Sequence, residues 1–239
     1  FIILMLSVFS IVTAHPFKSE KELYDYYAEI DKKIFAEKNK PIIRKKYPRK
    51  LTDKELEQEQ IPFSLKRYTV DEIVGNNKLV YNAFNYQLMS ISQINENNKE
   101  EGVIRTFDED ENLISIAYIE NSKGVMGIYR EYYPWGVLKN ETPYYTSEIN
   151  GKLKNYYPDG LLKEEYTYYN NKKEGLATMY YESGQKFAIE NYKNDLKNGD
   201  YYMYYENGTL GMKAFFVNGK REGTIEFYEE DGKKIEKNK

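Results

Sequence analysis

Several residue types are scarce in this chain of 239 residues, and each shortage narrows its chemistry. Cysteine is absent, which excludes disulfide bonds, thiol catalysis and cysteine-bound zinc. His15 is the only histidine, so catalytic triads and histidine metal sites are also excluded. With 35 basic and 38 acidic residues, the net charge of −3 provides no field that would attract nucleic acid. We therefore expect no enzyme, no cofactor, no metal site and no nucleic-acid partner.

One acidic segment comes close to a calcium-binding loop. Asp108, Asp110 and Asn112 have the spacing of the first ligands of such a loop. Leu113 stands where the loop needs glycine, and Ile119 stands where it needs a bidentate glutamate. The pattern favours an acidic hairpin turn over a metal site.

The abundant residues are tyrosine, with 26 copies, and regularly spaced glycine. Tyrosine favours β-strands and combines a large apolar ring with a polar tip. Glycine recurs every 24 residues in two parallel series, which are Gly136, Gly160, Gly184, Gly208 and Gly232, and Gly127, Gly151, Gly175, Gly199 and Gly223. Two series with one period indicate a small structural unit that is copied along the chain.

The first fourteen residues, FIILMLSVFSIVTA, are apolar or small. They are too few to span a bilayer, and Val12 and Ala14 provide the small-residue pattern of a signal-peptidase site. We predict a signal peptide over residues 1–14 and an exported protein, located in the periplasm, in the cell envelope or outside the cell. The alternative is an apolar N-terminal helix of a protein that stays in the cytoplasm.

Residues 15–74 lack the repeat and form a predicted helical and linker region. Ser19 and Glu22 form a capping box that starts a helix, and Pro41 requires the helix to end before it. Its predicted buried face consists of Leu23, Tyr26, Ile30 and Ile34. Thr52 and Glu55 indicate a second, shorter helix that ends before Pro62.

A basic segment separates the two predicted helices. It runs from Lys38 to Lys50 without an acidic residue. Such a segment could contact anionic lipid or a cell-wall polymer, and the alternative is a solvated linker. The candidate contact residues are Arg44, Lys45, Lys46, Arg49 and Lys50.

The clearest repeat unit is residues 199–222, GDYYMYYENGTLGMKAFFVNGKRE. Asn207 and Gly208 lie between two aromatic-rich runs and predict a hairpin with a type I′ turn, in which both central residues have positive φ. A two-residue turn pairs Tyr205 with Leu210, and the strands behind it place Met203 opposite Met212, Tyr201 opposite Ala214 and Gly199 opposite Phe216. One face of the hairpin is then apolar and the other face is mixed.

The repetition predicts the fold class. We expect a mainly β protein whose residues 75–239 form an elongated single-layer antiparallel sheet of about seven stacked β-hairpin repeats. A short α-helical N-terminal segment precedes the sheet. Each hairpin shelters its aromatic rings against its neighbours, so the stability of the sheet is collective.

Aromatic residues on the mixed face are the candidate partner-binding residues. One repeat position always holds tyrosine, at Tyr132, Tyr156, Tyr180, Tyr204 and Tyr228. This series could stack against sugar rings or bind a protein, and the alternative is packing between repeats. Trp135 occupies a predicted hairpin tip, where it either contacts a partner or packs on the next hairpin.

The segments 175–199 and 199–223 resemble the MORN repeat variant, and the resemblance extends over about residues 81–231. Similar bacterial proteins are grouped as YwqK-type antitoxins of toxin–antitoxin systems, so the resemblance implies a protein partner rather than catalysis. We therefore expect an exported bacterial scaffold that binds a protein through an extended β-surface. The alternatives are a module that binds an envelope glycan and one that binds an anionic membrane surface.

Overall fold

The computed structural model describes residues 17–43, 69–82, 85–120 and 123–236. They form two compact units: a central unit, Asp25–Leu138, and a C-terminal unit, which combines residues 17–24 with residues 139–236. The predicted signal peptide, the five basic candidates at 44–50 and the predicted second helix all lie outside the described residues.

Helix α1 spans Glu20–Lys38 and begins where the capping signal predicts. The hydroxyl of Ser19 accepts a hydrogen bond from the backbone N–H of Glu22 at 3.2 Å. The Glu22 carboxylate in turn accepts from the backbone N–H of Lys18 at 2.7 Å, one residue earlier than in a standard capping box. The helix ends before Pro41, as expected.

One face of α1 is buried. Leu23, Tyr27, Ile30 and Ile34 each expose 3% of their surface or less. The prediction of Tyr26 on this face is wrong, because at 100° per residue Tyr27 points closer to the direction shared by the other three. Tyr26 is half-buried instead.

In the described part of the central unit, six antiparallel strands pair in chain order. The strands are β1 (Thr69–Val74), β2 (Asn77–Asn82), β3 (Leu88–Ile94), β4 (Glu100–Phe107), β5 (Leu113–Glu120) and β6 (Gly124–Tyr132). The first strand therefore begins six residues before the predicted start of the sheet at residue 75. A buried cluster joins β2 and β3 and consists of Leu79, Tyr81, Leu88 and Ile91.

Within the central unit, α1 packs against the later strands. A Cβ atom added at Gly127 of β6 would lie 2.6 Å from Cγ2 of Ile30, so the Ile30 side chain packs directly against the backbone of Gly127. The Lys33 ammonium donates to the Tyr118 hydroxyl of β5 at 3.1 Å. Burial of the apolar face of the helix contributes roughly 1.5–3 kcal/mol for each fully buried large side chain.

The C-terminal unit continues the antiparallel pattern with ten strands. They are β7 (Leu138–Tyr145), β8 (Glu148–Ile149), β9 (Gly151–Tyr156), β10 (Leu162–Tyr169), β11 (Lys172–Tyr180), β12 (Lys186–Lys193), β13 (Leu196–Lys197), β14 (Gly199–Tyr204), β15 (Leu210–Val217) and β16 (Lys220–Phe227). The short strands β8 and β13 pair with β7 and β12 and extend the hairpins there. The predicted class, mainly β with antiparallel hairpins after an N-terminal helix, is confirmed.

The turn after each tyrosine-rich strand differs from the predicted type I′ turn. Gly208 N–H donates to the carbonyl of Tyr205 at 2.9 Å, and Tyr205 N–H donates to the carbonyl of Thr209 at 2.8 Å. Only Gly208 has positive φ, at 85°, whereas Asn207 does not. The loop therefore has three residues, with glycine in the left-handed position of a bulge. Equivalent bonds recur at Gly136, Gly160, Gly184 and Gly232.

The predicted register of this hairpin is confirmed away from the turn. Met203 lies opposite Met212, Tyr201 opposite Ala214 and Gly199 opposite Phe216. Next to the turn the prediction that Tyr205 faces Leu210 is wrong, because a bulge shifts the register and places Tyr204 opposite Leu210. The extra loop residue is the cause of this shift.

Turns with two central residues of positive φ occur at the opposite ends of the hairpins. Asn218 and Gly219 have φ of 47° and 78°, as a type I′ turn requires. Asn170 with Asn171 and Asn194 with Asp195 repeat this geometry.

A side-chain oxygen of the preceding repeat holds each of these turns. The three bonds run from Asn170 N–H to the Asn150 side chain at 3.0 Å, from Asn194 N–H to the Glu174 carboxylate at 2.8 Å, and from Asn218 N–H to the Asn198 side chain at 3.1 Å. Donors and acceptors both recur every 24 residues, so consecutive repeats are joined in one constant way.

Candidate binding surfaces

The predicted tyrosine series occupies one structural position in the C-terminal unit. Tyr156, Tyr180 and Tyr204 are the last residues of β9, β11 and β14, and each is half-buried. Tyr228 follows β16 and forms a single bridge with Lys234. Because alternate residues of a strand share a face, Tyr204 and Tyr202 lie on the same side of the sheet.

The hydroxyl groups of this series have different environments. The Tyr156 hydroxyl donates to the Glu141 carboxylate at 2.8 Å, and the Tyr228 hydroxyl donates to Glu226. This hydrogen bond to Glu226 raises the pKa of Tyr228 above its ordinary value. The hydroxyls of Tyr180 and Tyr204 make no hydrogen bond with the described part of the chain. These two side chains thus have no polar role inside the repeats.

A second tyrosine follows each of Tyr156, Tyr180 and Tyr204, and its hydroxyl group joins neighbouring repeats. The three hydrogen bonds, each 2.8 Å long, run from the Tyr157 hydroxyl to the Tyr180 carbonyl, from Tyr181 to Tyr204 and from Tyr205 to Tyr228. Sequence reasoning missed this structural role. The signal was the Tyr-Tyr pair itself, which recurs at 156–157, 180–181 and 204–205.

We define the mixed face of the C-terminal unit by alternate residues around Tyr180 and Tyr204. The strand register places Leu176 and Thr178 on this face, opposite Asn191 and Ile189 of β12. Phe215 belongs to the same face, because it lies opposite Asp200 on β14. Two of these apolar side chains, Leu176 and Phe215, are each 45% exposed.

Oppositely charged side chains lie together on the mixed face, where Glu141 lies opposite Lys154. The Lys152 ammonium lies 3.1 Å from the Glu165 carboxylate, and Lys154 lies 4.0 Å from the same group. Exposed pairs of this kind contribute roughly 0–1 kcal/mol each. The face therefore offers aromatic and aliphatic side chains among nearly balanced charges.

The opposite face of the C-terminal unit holds its rings among lysines. The Lys173 ammonium lies 3.7 Å from the centre of the Tyr166 ring and 5.0 Å from that of Tyr192. Glu190 is only 5% exposed and accepts hydrogen bonds from Tyr192 and Lys197. Burial is the main cause that raises the pKa values of Tyr166 and Tyr192, so both phenols stay neutral.

In the central unit, Tyr132 does not form part of an exposed series. It exposes only 8% of its surface, and the Lys38 ammonium lies 4.3 Å from the centre of its ring. A buried ring under a lysine is unsuited to the partner contact predicted for it. The repeat position alone could not reveal this burial, because α1 contributes the covering residue.

Trp135 lies at a hairpin tip of the central unit, as predicted, and is 60% exposed. Its indole stacks on the ring of Tyr133, with centroids 4.8 Å apart and planes inclined by 5°. The stack holds the indole in one orientation, and rigid aromatic groups of this kind are favoured at binding sites.

The acidic segment at Asp108 forms a turn. Its carboxylate accepts hydrogen bonds from the backbone N–H groups of Asp110 at 3.0 Å and Asn112 at 2.8 Å. Within the described ranges, no three acidic or histidine side chains come together as a metal site would require. Over the same ranges, no helix has the length and apolar character needed to cross a membrane.

Comparison with known proteins identifies the repeat in one part of the chain. The MORN repeat variant matches three consecutive segments, residues 149–171, 173–194 and 197–218. All three lie in the C-terminal unit, where the tyrosine and asparagine bonds between repeats are most regular. No curated protein matches the sequence.

Among solved structures, the chain is similar to TarM at 10% identity, with a TM-score of 0.21 and coverage of 83% of this chain. A mutant TarM from S. aureus in complex with Fondaparinux, alpha-GlcNAc-glycerol and UDP aligns at 12% identity, with a TM-score of 0.20 and coverage of 83% of this chain. The chain spans about a quarter of these proteins, 26% and 27%. Similarity this weak says nothing about function.

Proposed function

We propose that the protein is a non-enzymatic repeat scaffold that binds another protein through the mixed face of the C-terminal unit. The main support for the proposal is that the side chains of Tyr180 and Tyr204 take no part in the hydrogen bonds between the described repeats. The hydroxyls of their neighbours Tyr181 and Tyr205 join the repeats, whereas the hydroxyls of Tyr180 and Tyr204 make no hydrogen bond with the described residues. Tyrosine is enriched in the energetic centres of protein interfaces.

The composition of the face favours a protein partner. Leu176 and Phe215 add exposed apolar surface beside the tyrosines. The positive charges of Lys152 and Lys154 are balanced by Glu165 and by Glu141, which lies opposite Lys154. An anionic membrane would select a surplus of positive charge, which this face does not have. Protein interfaces combine an aromatic and aliphatic centre with a polar rim, as here.

The test is site-specific crosslinking in the producing cells. A photoreactive amino acid is placed at Tyr180, and a matched control carries it at Arg221, which is exposed and lies opposite Phe216 of the other face. We expect a discrete protein adduct from position 180 and none from position 221. Adducts of equal yield from both positions, or none from either, would contradict the proposal.

Trp135 is a second proposed contact, in the central unit. The exposed indole stacked on Tyr133 presents a rigid apolar plane. Trp135→Ala should weaken recovery of the crosslinked partner without changing the unfolding midpoint, and Lys139→Ala, an exposed residue nearby in sequence, serves as the control.

The two alternative functions, glycan binding and membrane binding, predict different effects of mutation. A glycan-binding module would lose polymer retention when Tyr156 and Tyr180 are both changed to alanine. A module for anionic membranes would lose salt-sensitive vesicle binding when the five basic residues of segment 44–50 are neutralised. Recovery of only glycan or lipid after crosslinking would replace our first proposal by one of these.

We further propose that the protein is exported and that its partner is a toxin, as the resemblance to YwqK-type antitoxins implies. Export is tested by N-terminal sequencing of the chain recovered from the periplasm or the medium, with His15 expected as the first residue. The antitoxin role is tested by co-expression with the product of a neighbouring gene that arrests growth. Failure to restore growth would leave the scaffold role and remove the antitoxin role.

A further inference from the structure

Two arginines of the central unit are equally buried but differently paired. Arg105 on β4 and Arg130 on β6 are each 6% exposed. The Arg130 guanidinium donates to both carboxylate oxygens of Asp31, at 2.8 Å and 2.7 Å. A bidentate carboxylate is the usual partner of a buried guanidinium, because an isolated buried charge is costly.

Arg105 has no such carboxylate partner among the described residues. One of its N–H groups donates to the backbone carbonyl of Lys40 at 2.8 Å, just beyond the end of α1. Its other donors make no hydrogen bond with any described residue. Glu37 is the acidic group nearby, but the Lys40 ammonium already contacts its carboxylate at 2.5 Å. Burial lowers the pKa of Arg105, and Glu37 offsets this only in part.

The Arg105 guanidinium lines a cavity of about 720 Å³ in the central unit. Its apolar lining includes Pro41 after the helix, Val74 of β1, and Leu79 and Ile91 of the buried cluster. This volume falls in the range of small-molecule sites, which combine an apolar lining with a few placed polar groups.

We propose that this cavity binds a small monocarboxylate with an apolar tail, whose carboxylate pairs with the guanidinium of Arg105. Among the described residues that line the cavity, Arg105 and Lys40 carry two positive charges and Glu37 carries one negative charge, so one positive charge is left for the ligand. A carboxylate matches that charge and has the two acceptor oxygens that the guanidinium fork requires. The side chains of Val74, Leu79 and Ile91 would surround the tail.

Octanoate titrated into the full chain, followed by calorimetry, tests the proposal. We expect saturable binding, and at least tenfold weaker binding of the neutral analogue 1-octanol. Arg105→Gln should weaken octanoate binding at least tenfold, whereas Lys123→Gln, which removes an exposed positive charge of the same unit, should leave it unchanged. Equal affinity of octanoate and octanol, or of the wild-type chain and a folded Arg105→Gln variant, would overturn the proposal.

The wild-type chain provides a second measurement that does not depend on the folding of the variant. Octanoate should shift the backbone amide resonances of Gly75, Asn76 and Asn77, which line the cavity, and leave that of Gly208 unchanged. No shift at the three cavity residues, or equal shifts at all four, would also overturn the proposal.

Discussion

The central unit and the C-terminal unit are both built from antiparallel strand pairs, but they bury very different side chains. In the central unit, large residues such as Tyr81, Leu88 and Ile116 are completely buried. On the strands of the C-terminal unit, small residues such as Ala177 and Ala188 are buried, and large rings such as Tyr166 are half-buried.

The two units are also stabilised in different ways. Ile30 and Ile34 of α1 are buried with the large residues of the central unit, so part of its apolar surface is removed from water by the helix. In the C-terminal unit, neighbouring repeats are joined by regular hydrogen bonds, such as that from the Tyr181 hydroxyl to Tyr204. The comparison shows that a hairpin array can be stabilised by a covering helix or by bonds between repeats.

The largest expected effect concerns the buried ion pair of the central unit. Asp31→Asn removes the bidentate carboxylate partner of the buried Arg130 guanidinium, so we expect the free energy of unfolding to fall by about 3–5 kcal/mol. Urea unfolding followed by circular dichroism measures the loss. Glu120→Gln is the control, since it removes only the exposed pair with Lys123 and should cost less than about 1 kcal/mol. Similar losses for both variants would contradict the prediction.

The next largest loss of stability is expected at a glycine position of the repeat that occurs in both units. Gly127 and Gly223 have φ of 77° and 70°, so alanine is strained at either site. Only at Gly127 would the new Cβ also meet Ile30, at 2.6 Å, because nothing lies within 4 Å at Gly223. We expect Gly127→Ala to cost about 3 kcal/mol and Gly223→Ala about 1 kcal/mol in thermal unfolding. Equal losses would show that α1 does not constrain this position.

Alkaline pH should destabilise the C-terminal unit. Burial raises the pKa of Tyr24 to about 12, although the hydrogen bond from Lys152 N–H opposes this shift. An unfolded tyrosine ionises near pH 10, so between pH 10 and 12 the folded state holds more protons and stability falls as pH rises. The expected loss at pH 12 is about 2 kcal/mol, measured by urea unfolding. Tyr24→Phe should make the fall shallower, and an unchanged slope would contradict the prediction.

The smallest expected effect is the difference in stability between variants of Tyr180 and of Tyr181. Tyr181→Phe removes the 2.8 Å hydrogen bond to the Tyr204 carbonyl and should cost about 1 kcal/mol. Tyr180→Phe removes a hydroxyl without a partner among the described residues and should cost less than about 0.5 kcal/mol. If both variants lose the same stability, the tyrosines do not have separate roles.

Local patterns predicted much of the fold. The capping residue Ser19 and the pairing of Met203 with Met212 were predicted correctly, because helix capping and strand alternation depend on residues close in sequence. The turn at Asn207–Gly208 was predicted wrongly, because Asn-Gly also fits a three-residue loop in which only the glycine has positive φ.

The candidate surfaces were predicted only in part. The repeat position of Tyr180 and Tyr204 was evident from the sequence. The distinct role of Tyr181 was not, because it depends on a hydrogen bond to Tyr204 in the next repeat. No pattern in the sequence indicated a role for Arg105. The one hydrogen bond that its guanidinium makes with a described residue reaches Lys40, which is 65 residues away in sequence.

The sequence by itself determined that hairpins repeat every 24 residues and that side chains alternate between the two faces of each hairpin, because φ preferences and side-chain alternation act over a few residues. It did not show that charged side chains such as Glu190 lie on the face predicted to be apolar. The tertiary structure alone decided that Tyr132 is buried, and that among the described residues the Tyr180 hydroxyl has no hydrogen-bond partner and the Arg105 guanidinium no carboxylate partner. These properties depend on which distant side chains surround a group, and a residue's own identity does not specify its surroundings.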